Sequence, residues 1–380
     1  MPADTPLGTP TLDDGTGPDL TLADLGWSDH FAQDCAGMDA TLVPTLVPMR
    51  VCAVQRATAT GIGPDGERPL GYPPELRAGK LAVGDWVLVD AETGRIARVL
   101  DRVSVLSRRA AGIEAKPQLL AANVDTLFIT TSCNADFNPA RLERYMVLAL
   151  DAGVDPVILL TKTDQADDPD SYVTQARALS DKLAGVIALN AKDPAQVAHL
   201  SQWCGPGRTV AFVGSSGVGK STLINALTGS GQATAAMRQD DAKGRHTTTA
   251  RSLHLMAGGG LVIDMPGMRE LGLHDVSGGI DELFDDITAL TTQCRFRDCK
   301  HMAEPGCAVQ QAVSDGLLDA ARLDRWRKLK SEDALNSTSM TVSRRRARAL
   351  GKAHQAEQLA NRNAKGSKPA SKPTKGPRKS

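Results

Sequence analysis

Hydrophobic and polar positions change their spacing several times along the chain. Residues 1–40 carry almost no apolar periodicity: Asp, Thr, Gly and Pro dominate, and only residues 22–31 could make one or two helical turns. This predicts a mostly disordered, flexible arm. Residues 41–112 break into short β-rich pieces at 50–56, 86–89 and 95–106. Turn signals separate them at Gly63-Pro64-Asp65-Gly66 and Gly84-Asp85, which suits a small all-β barrel. Residues 113–276 alternate buried-strand runs (124–130, 157–160, 186–189, 209–213, 261–263) with helical stretches (140–152, 172–183, 223–227). That rhythm predicts an α/β domain with a largely parallel sheet and helices on both faces. Leu142, Tyr145, Met146 and Ala149 give the first of these helices its buried face. Residues 277–343 read as a small, mainly helical unit around a Cys/His cluster, and residues 344–380 as a flexible Lys/Pro/Ser/Gly-rich tail. The fold class is therefore multidomain.

The strand at 209–213 runs into Gly214-Ser215-Ser216-Gly217-Val218-Gly219-Lys220-Ser221-Thr222, and a helix follows. This is G-x-x-x-x-G-K-[ST] in its proper strand-to-helix setting, the signature of a P-loop. Backbone N–H groups converge there on phosphate oxygens, Lys220 supplies a cation, and the Ser221 hydroxyl can ligate Mg²⁺. Asp264-Met265-Pro266-Gly267 follows the apolar run at 261–263. An Asp at a strand end beside a P-loop holds Mg²⁺, through water, and Gly267 can offer its N–H to a γ-phosphate. Between the two lies Lys243-Gly244-Arg245-His246-Thr247-Thr248-Thr249, too polar for a core. Thr248 is the candidate there to close over Mg²⁺, with its neighbours close behind.

Thr161-Lys162-Thr163-Asp164 follows the strand at 157–160. A carboxylate at Asp164 can accept two hydrogen bonds from guanine, an arrangement adenine does not offer, so the motif selects GTP. Asn190-Ala191-Lys192, after the run at 186–189, can contribute a backbone N–H to the guanine oxygen. The base-reading motif precedes the phosphate cradle, the reverse of an ordinary GTPase. If the strands keep their places in the sheet, this order implies a circular permutation. Cys294, Cys299, His301 and Cys307 give C-x₄-C-x-H-x₅-C, a closed tetrahedral set for one structural Zn²⁺. The remaining cysteines, Cys35, Cys52, Cys133 and Cys204, have no metal spacing.

Composition adds two points. Aromatics are only 3% of residues, so aliphatic side chains fill the cores. The 44 basic and 44 acidic residues cancel overall but not locally. Eight Asp and no Lys or Arg precede Thr41, whereas twelve Lys or Arg and one acid follow Met340. Basic residues outnumber acids in the barrel and cluster near the Cys/His motif, which makes RNA or another phosphate backbone a plausible partner. No apolar run is long enough to cross a membrane, and no secretory signal is visible, so the expected compartment is the cytosol; a monomer is also expected.

The permuted motif order, GRHTTT, D-x-P-G and C-x₄-C-x-H-x₅-C together resemble the RsgA family over roughly residues 41–340. The resemblance implies an N-terminal OB-fold barrel, a circularly permuted GTPase domain and a C-terminal zinc domain. It also implies GTP hydrolysis to GDP stimulated by the small ribosomal subunit, and a role in that subunit's late maturation. Met265 stands where the family often has Thr, and Thr161 where Asn is commoner. Met268 follows Gly267, where many GTPases carry a water-positioning Gln, and a thioether cannot orient water. His246, in the polar loop, is the candidate to supply that group. Two other readings are a P-loop ATPase or small-molecule kinase, and an RNA-binding module with the nucleotide as a static staple.

Overall fold

The computed structural model describes residues 20–36, 45–55, 57–74, 76, 78–109, 117–229, 251–265 and 272–338. Five strands form the first layer: β1 (Leu46–Val54), β2 (Thr58–Gly63), β3 (Gly66–Gly71), β4 (Trp86–Asp90) and β5 (Ile96–Val99). All their ladders are antiparallel, β1 pairing with both β2 and β4. A parallel bridge between Gly71 and Arg95 draws β3 toward β5 and curls the sheet. Period-two alternation explains its two faces. Val87 and Val89 of β4 join Met49, Val51, Leu70 and Ile96 inside, while Trp86 and Leu88 point the other way, into the main core.

The β-rich piece at 95–106 is not one strand. Between β5 and β6 (Val105–Arg109) the Ser104 hydroxyl donates to the Val124 carbonyl at 2.8 Å and accepts from the Val124 N–H at 2.9 Å. That reciprocal pair pulls the chain out of the barrel. β6 instead forms an antiparallel ribbon with β7 (Pro117–Ala122). The expected boundary at 112 falls in the connection 110–116, outside the described residues.

Residues 20–36 also differ from the disordered arm expected of them. A turn at 22–26 leads into α1 (Asp29–Ala36), with Leu25 and Phe31 buried. The Trp27 and Phe31 rings lie 4.9 and 5.8 Å from Trp86. The segment's apolar residues lack a helical period, but they land on an aromatic surface already formed by the barrel, which offsets the entropy of ordering them.

The main sheet has the order β10 (Gly185–Ala188), β9 (Asp155–Thr161), β8 (Thr126–Ser132), β11 (Thr209–Gly214), β13 (Leu261–Asp264), β12 (Ser252–Leu255). Every neighbour pair is parallel except the β12–β13 hairpin. β11 is buried throughout: Val210 and Phe212 face one core, Ala211 and Val213 the other, as a sheet covered on both sides requires. β12 then pairs with β1 at Ser252 and Ala53, so barrel and sheet are hydrogen-bonded to each other.

Helices α2 (Pro139–Asp151), α3 (Pro169–Arg177), the short α4 (Pro194–Val197) and α5 (Lys220–Thr228) cover the sheet. Asn138, Asp168 and Asp193 cap the first three, each just before a Pro at the helix start. Beyond residue 276 come α6 (Ser277–Leu283), α7 (Asp285–Thr291), α8 (Ala308–Ser314) and α9, helical from 320 to the last described residue, 338. A Cβ on Gly279 would meet the Val147 carbonyl at 2.4 Å, so only glycine lets α6 lie this close to α2. Ile280, Leu283 and Phe284 enter the same core as Tyr145 and Met146.

Candidate functional site

Three loops from three parallel strands meet at one end of the sheet. β11 delivers the first, Gly214–Gly219, which opens directly into α5. Gly214 has φ +141°, and a Cβ there would sit 2.1 Å from the Thr130 carbonyl of β8. The tight exit from β11 therefore depends on glycine. Lys220 is the first residue of α5 and is buried, its Nζ donating to the carbonyls of Gly214 at 2.8 Å and Ser215 at 2.5 Å. Burial pushes its pKa down, and the carboxylates of Asp264 and Asp136 push back. Ser221 and Thr222 are exposed at the start of the helix. Asp264 ends β13, one strand over, in register with Phe212. Met265 is buried in the core, so the residue type between Asp264 and Pro266 answers to packing rather than to a ligand.

β9 delivers the second loop. Thr161 is its last residue and is fully buried. Its hydroxyl lies 2.6 Å from the Val218 carbonyl and 3.1 Å from the Thr131 carbonyl. One side chain thus touches the phosphate loop, the central strand and the base-reading motif. Lys162 then takes a left-handed conformation (φ +57°), turning the chain into a single helical turn at Thr163–Gln165 with Asp164 exposed. β10 leads to the third loop. The Asn190 side-chain oxygen accepts from the Lys192 N–H at 3.0 Å, and the Asn190 N–H is taken up by Gln196 at 2.7 Å. The Ala191 N–H between them finds no partner among the described residues. A Cβ on Gly219 would lie 3.7 Å from Ala191 and 3.8 Å from Thr161, so all three loops are in contact.

The structure therefore brings the loops of Lys220, Thr161 and Ala191 together at one end of the sheet, with Asp264 on the neighbouring strand close to Lys220. His246, Thr248, Gly267 and Met268 lie outside the described residues. Two contributors escaped the sequence reading: the hydroxyl tie made by Thr161, which its motif does not advertise, and Asp136. The Asp136 carboxylate accepts from Thr131 at 3.1 Å and pairs with Arg141 at 2.9 Å, close enough to Lys220 to raise its pKa. Its only sequence cue is a position just past the end of β8.

The second cluster sits between α7 and α8. One donor atom each from Cys294, Cys299, His301 and Cys307 lies within 4.8 Å of the others. Cys294 Sγ is 3.5 Å from His301 Nδ1 and 3.9 Å from Cys307 Sγ, and Cys307 Sγ is 3.6 Å from His301 Nδ1. Four such donors can hold a metal ion. His301 adopts φ +58°, and its carbonyl accepts from Gln310 Nε2 at 2.6 Å and from the Arg327 guanidinium. Its ring sits edge-on to Trp326 at 5.6 Å. The Glu304 carboxylate accepts the N–H groups of Lys300, Met302 and Ala303, which holds its pKa down at about 2 and braces the loop. Of the other cysteines, Cys52, Cys133 and Cys204 are buried and Cys35 is half-buried. Burial pushes the thiols of Cys52 and Cys204 up to about 12, which makes them poor nucleophiles.

The RsgA GTPase family model matches residues 99–274. A protein of Mesorhizobium japonicum named small ribosomal subunit biogenesis GTPase RsgA is 54% identical over 332 residues, 86% of this chain and 94% of that one. One of Vibrio vulnificus, named small ribosomal subunit biogenesis GTPase RsgA 2, is 47% identical over 87% of this chain and 93% of its own. Among solved structures, YjeQ from Thermotoga maritima aligns with a TM-score of 0.56 at 24% identity, covering 76% of this chain and 98% of that one. YloQ, described as a circularly permuted GTPase, aligns with a TM-score of 0.52 at 26% identity, covering 76% and 94%. With its phosphate loop behind its base-reading motif in the chain and against it in space, this protein belongs to the RsgA family of circularly permuted GTPases and hydrolyses GTP.

Proposed function

We propose that this GTPase acts in the cytosol as a monomeric late-maturation factor of the small ribosomal subunit, and that the subunit stimulates its turnover. The names of its curated relatives support the subunit. The Thr161 hydroxyl, joining the phosphate loop to the base-reading strand, is the observation that supports a single GTP held across both motifs. In this reading Asp164 accepts from the guanine ring, with Lys162 and Thr163 shaping that turn. The Ala191 N–H, set between Asn190 and Lys192, donates to the guanine oxygen. Gly214 to Gly219 surround the phosphates with N–H groups, and Lys220 turns from its two carbonyls to the phosphate oxygens. Mg²⁺ held with the nucleotide by Ser221, Asp264 and Thr248 supplies charge neutralisation on the phosphates, with Thr222 extending the cradle and Gly267 sensing the γ-phosphate.

Two further assignments complete the proposal. The Cys294, Cys299, His301 and Cys307 set suits Zn²⁺. Thiolates at about 2.3 Å and an imidazole at about 2.0 Å from a tetrahedral zinc lie roughly 3.5–3.8 Å apart, close to the separations of 3.5, 3.6 and 3.9 Å here. The set has no open position, so the role is structural. The five-stranded unit is read as an OB-fold barrel, a fold used to bind oligonucleotides. With the helical unit it would contact rRNA.

His246 is the proposed water-positioning residue, because Met268 cannot serve. The deciding assay is GTP hydrolysis with small or large ribosomal subunits added. Turnover rises only with the small subunit, and His246→Ala keeps GTP affinity but loses the rise. Equal turnover with either subunit contradicts the partner, and full stimulation of His246→Ala contradicts the residue.

A further inference from the structure

Beside the metal cluster, α6, α7 and α9 enclose an open cavity of about 310 Å³. Its wall includes Phe296, Trp326, Arg297, Lys330 and Asp281, and its floor is the edge of the metal cluster, Cys299 and His301. The volume is at the lower end of ordinary ligand pockets, about 300–1,000 Å³. Its lining is unusual for a site of pure packing. Phe296 is 43% exposed, although a large aromatic ring gains most by burial. The Arg295 guanidinium lies 5.5 Å from that ring's centre. Arg295, Arg297 and Lys300 are exposed, and none has a carboxylate partner among the described residues. The nearby Glu304 spends its oxygens on backbone N–H groups of the metal loop and makes no ion pair with them. Across the cavity Lys330 is held at 2.5 Å by Asp281, and the Trp326 ring is fixed against the metal ligand His301.

We propose that this cavity is a pocket for one unstacked nucleotide of single-stranded RNA. The assignment rests on the reading of the helical unit as an rRNA-contacting module, and it names the nucleotide-sized site within it. An exposed aromatic face beside unpaired guanidinium groups is what a splayed-out base and its phosphate need: the base stacks on the ring, and the cation neutralises the phosphate. Phe296 supplies the stacking face, Arg297 the phosphate contact, and the Asp281–Lys330 pair offers an acceptor and a donor to the base edge. Trp326, locked by the metal loop, forms the rigid back wall. The surplus of unpaired cations favours a polyanion over a protein ligand at this position.

The test titrates a fluorescently labelled, unstructured single-stranded RNA against the metal-loaded full chain over a range of salt concentrations. Metal content and GTP binding serve as checks that variants are folded. Phe296→Ala should weaken binding by about 5- to 160-fold while leaving the salt dependence unchanged, since stacking is worth about 1–3 kcal/mol per base. Arg297→Ala should weaken binding and reduce the slope against log salt by about one phosphate's worth. Phe296→Leu, which keeps apolar volume but not the π-face, should behave like Phe296→Ala. RNA binding by wild type that all three variants retain overturns the pocket and leaves the wider rRNA reading standing. No RNA binding by wild type overturns both. Binding to RNA-free small-subunit proteins, lost in these variants, overturns the RNA assignment in favour of a protein ligand.

Discussion

Arg50 shows how one residue can join three parts of a chain. It is fully buried, and its guanidinium donates to the carbonyls of Leu25 at 2.5 Å, Asn123 at 2.8 Å and Gly84 at 3.3 Å. Those carbonyls belong to the N-terminal segment, the start of the main sheet and the barrel. Burial lowers its pKa to about 10, so the side chain stays charged at neutral pH. Arg50→Met keeps much of the volume but removes every donor. The variant should lose about 3 kcal/mol of stability in urea denaturation, because three buried carbonyls lose a charged partner. Thr161 plays the corresponding part in the nucleotide site. Thr161→Val, of nearly the same shape, deletes the contacts to Val218 and Thr131. It should cost about 1–2 kcal/mol of stability and weaken GTP binding. Thr161→Asn, whose amide can donate to both carbonyls, should keep most of the affinity. Neither role could be read from the sequence. Arg50 looks like an ordinary strand residue there, and Thr161 like a plain substitute for Asn.

At the level of elements, α2, α6 and α9 are bound by a buried charge cluster. Glu143 on α2 is inaccessible to solvent and accepts from Arg325 at 2.7 Å, with Arg322 at 3.8 Å. Arg322 also pairs with Asp286 at 2.9 Å, donates to the carbonyls of Leu179 and Leu283, and lies over the Phe284 ring. Desolvation raises the Glu143 pKa above its ordinary value of 4.5, against the pull of the two arginines. The folded chain therefore keeps a proton that the unfolded chain has already released. Stability should fall as pH rises from 4.5 to the raised value, and this component should be absent in Glu143→Gln. Thermal unfolding across that range measures it. Glu143→Ala, which strands the Arg325 guanidinium, should lose about 3–5 kcal/mol, more than Glu143→Gln. Much at this scale was legible. The buried runs became strands, the helix over 140–152 came out within a residue or two, the P-loop motif runs from β11 into α5, and the four Cys/His residues cluster in space. The pattern failed where a long-range contact decided. Trp86 ordered residues 20–36, and the Ser104–Val124 exchange split the piece at 95–106. α3 ends at Arg177 rather than running on to 183.

On the scale of the whole molecule, permutation places the end of β13 near the exit to the helical unit. α9 grips that exit: Asp333 accepts from the Val276 N–H at 3.1 Å, Asn336 donates to the Leu273 carbonyl at 2.7 Å, and Ser337 accepts from the Asp275 N–H at 2.9 Å. Arg109 at the end of β6 donates to Asn336 at 2.9 Å, so the ribbon beyond the barrel meets the same helix. The basic tail, 344–380, falls outside the described residues. In the proposed arrangement, loops far apart in sequence close on a single guanine nucleotide. Equilibrium binding of GTP, ATP and xanthosine triphosphate to wild type and Asp164→Asn tests it most directly. Wild type should bind GTP alone, and Asp164→Asn should exchange GTP for xanthosine triphosphate. Unchanged GTP preference in Asp164→Asn, or equal binding of ATP by wild type, would contradict the account.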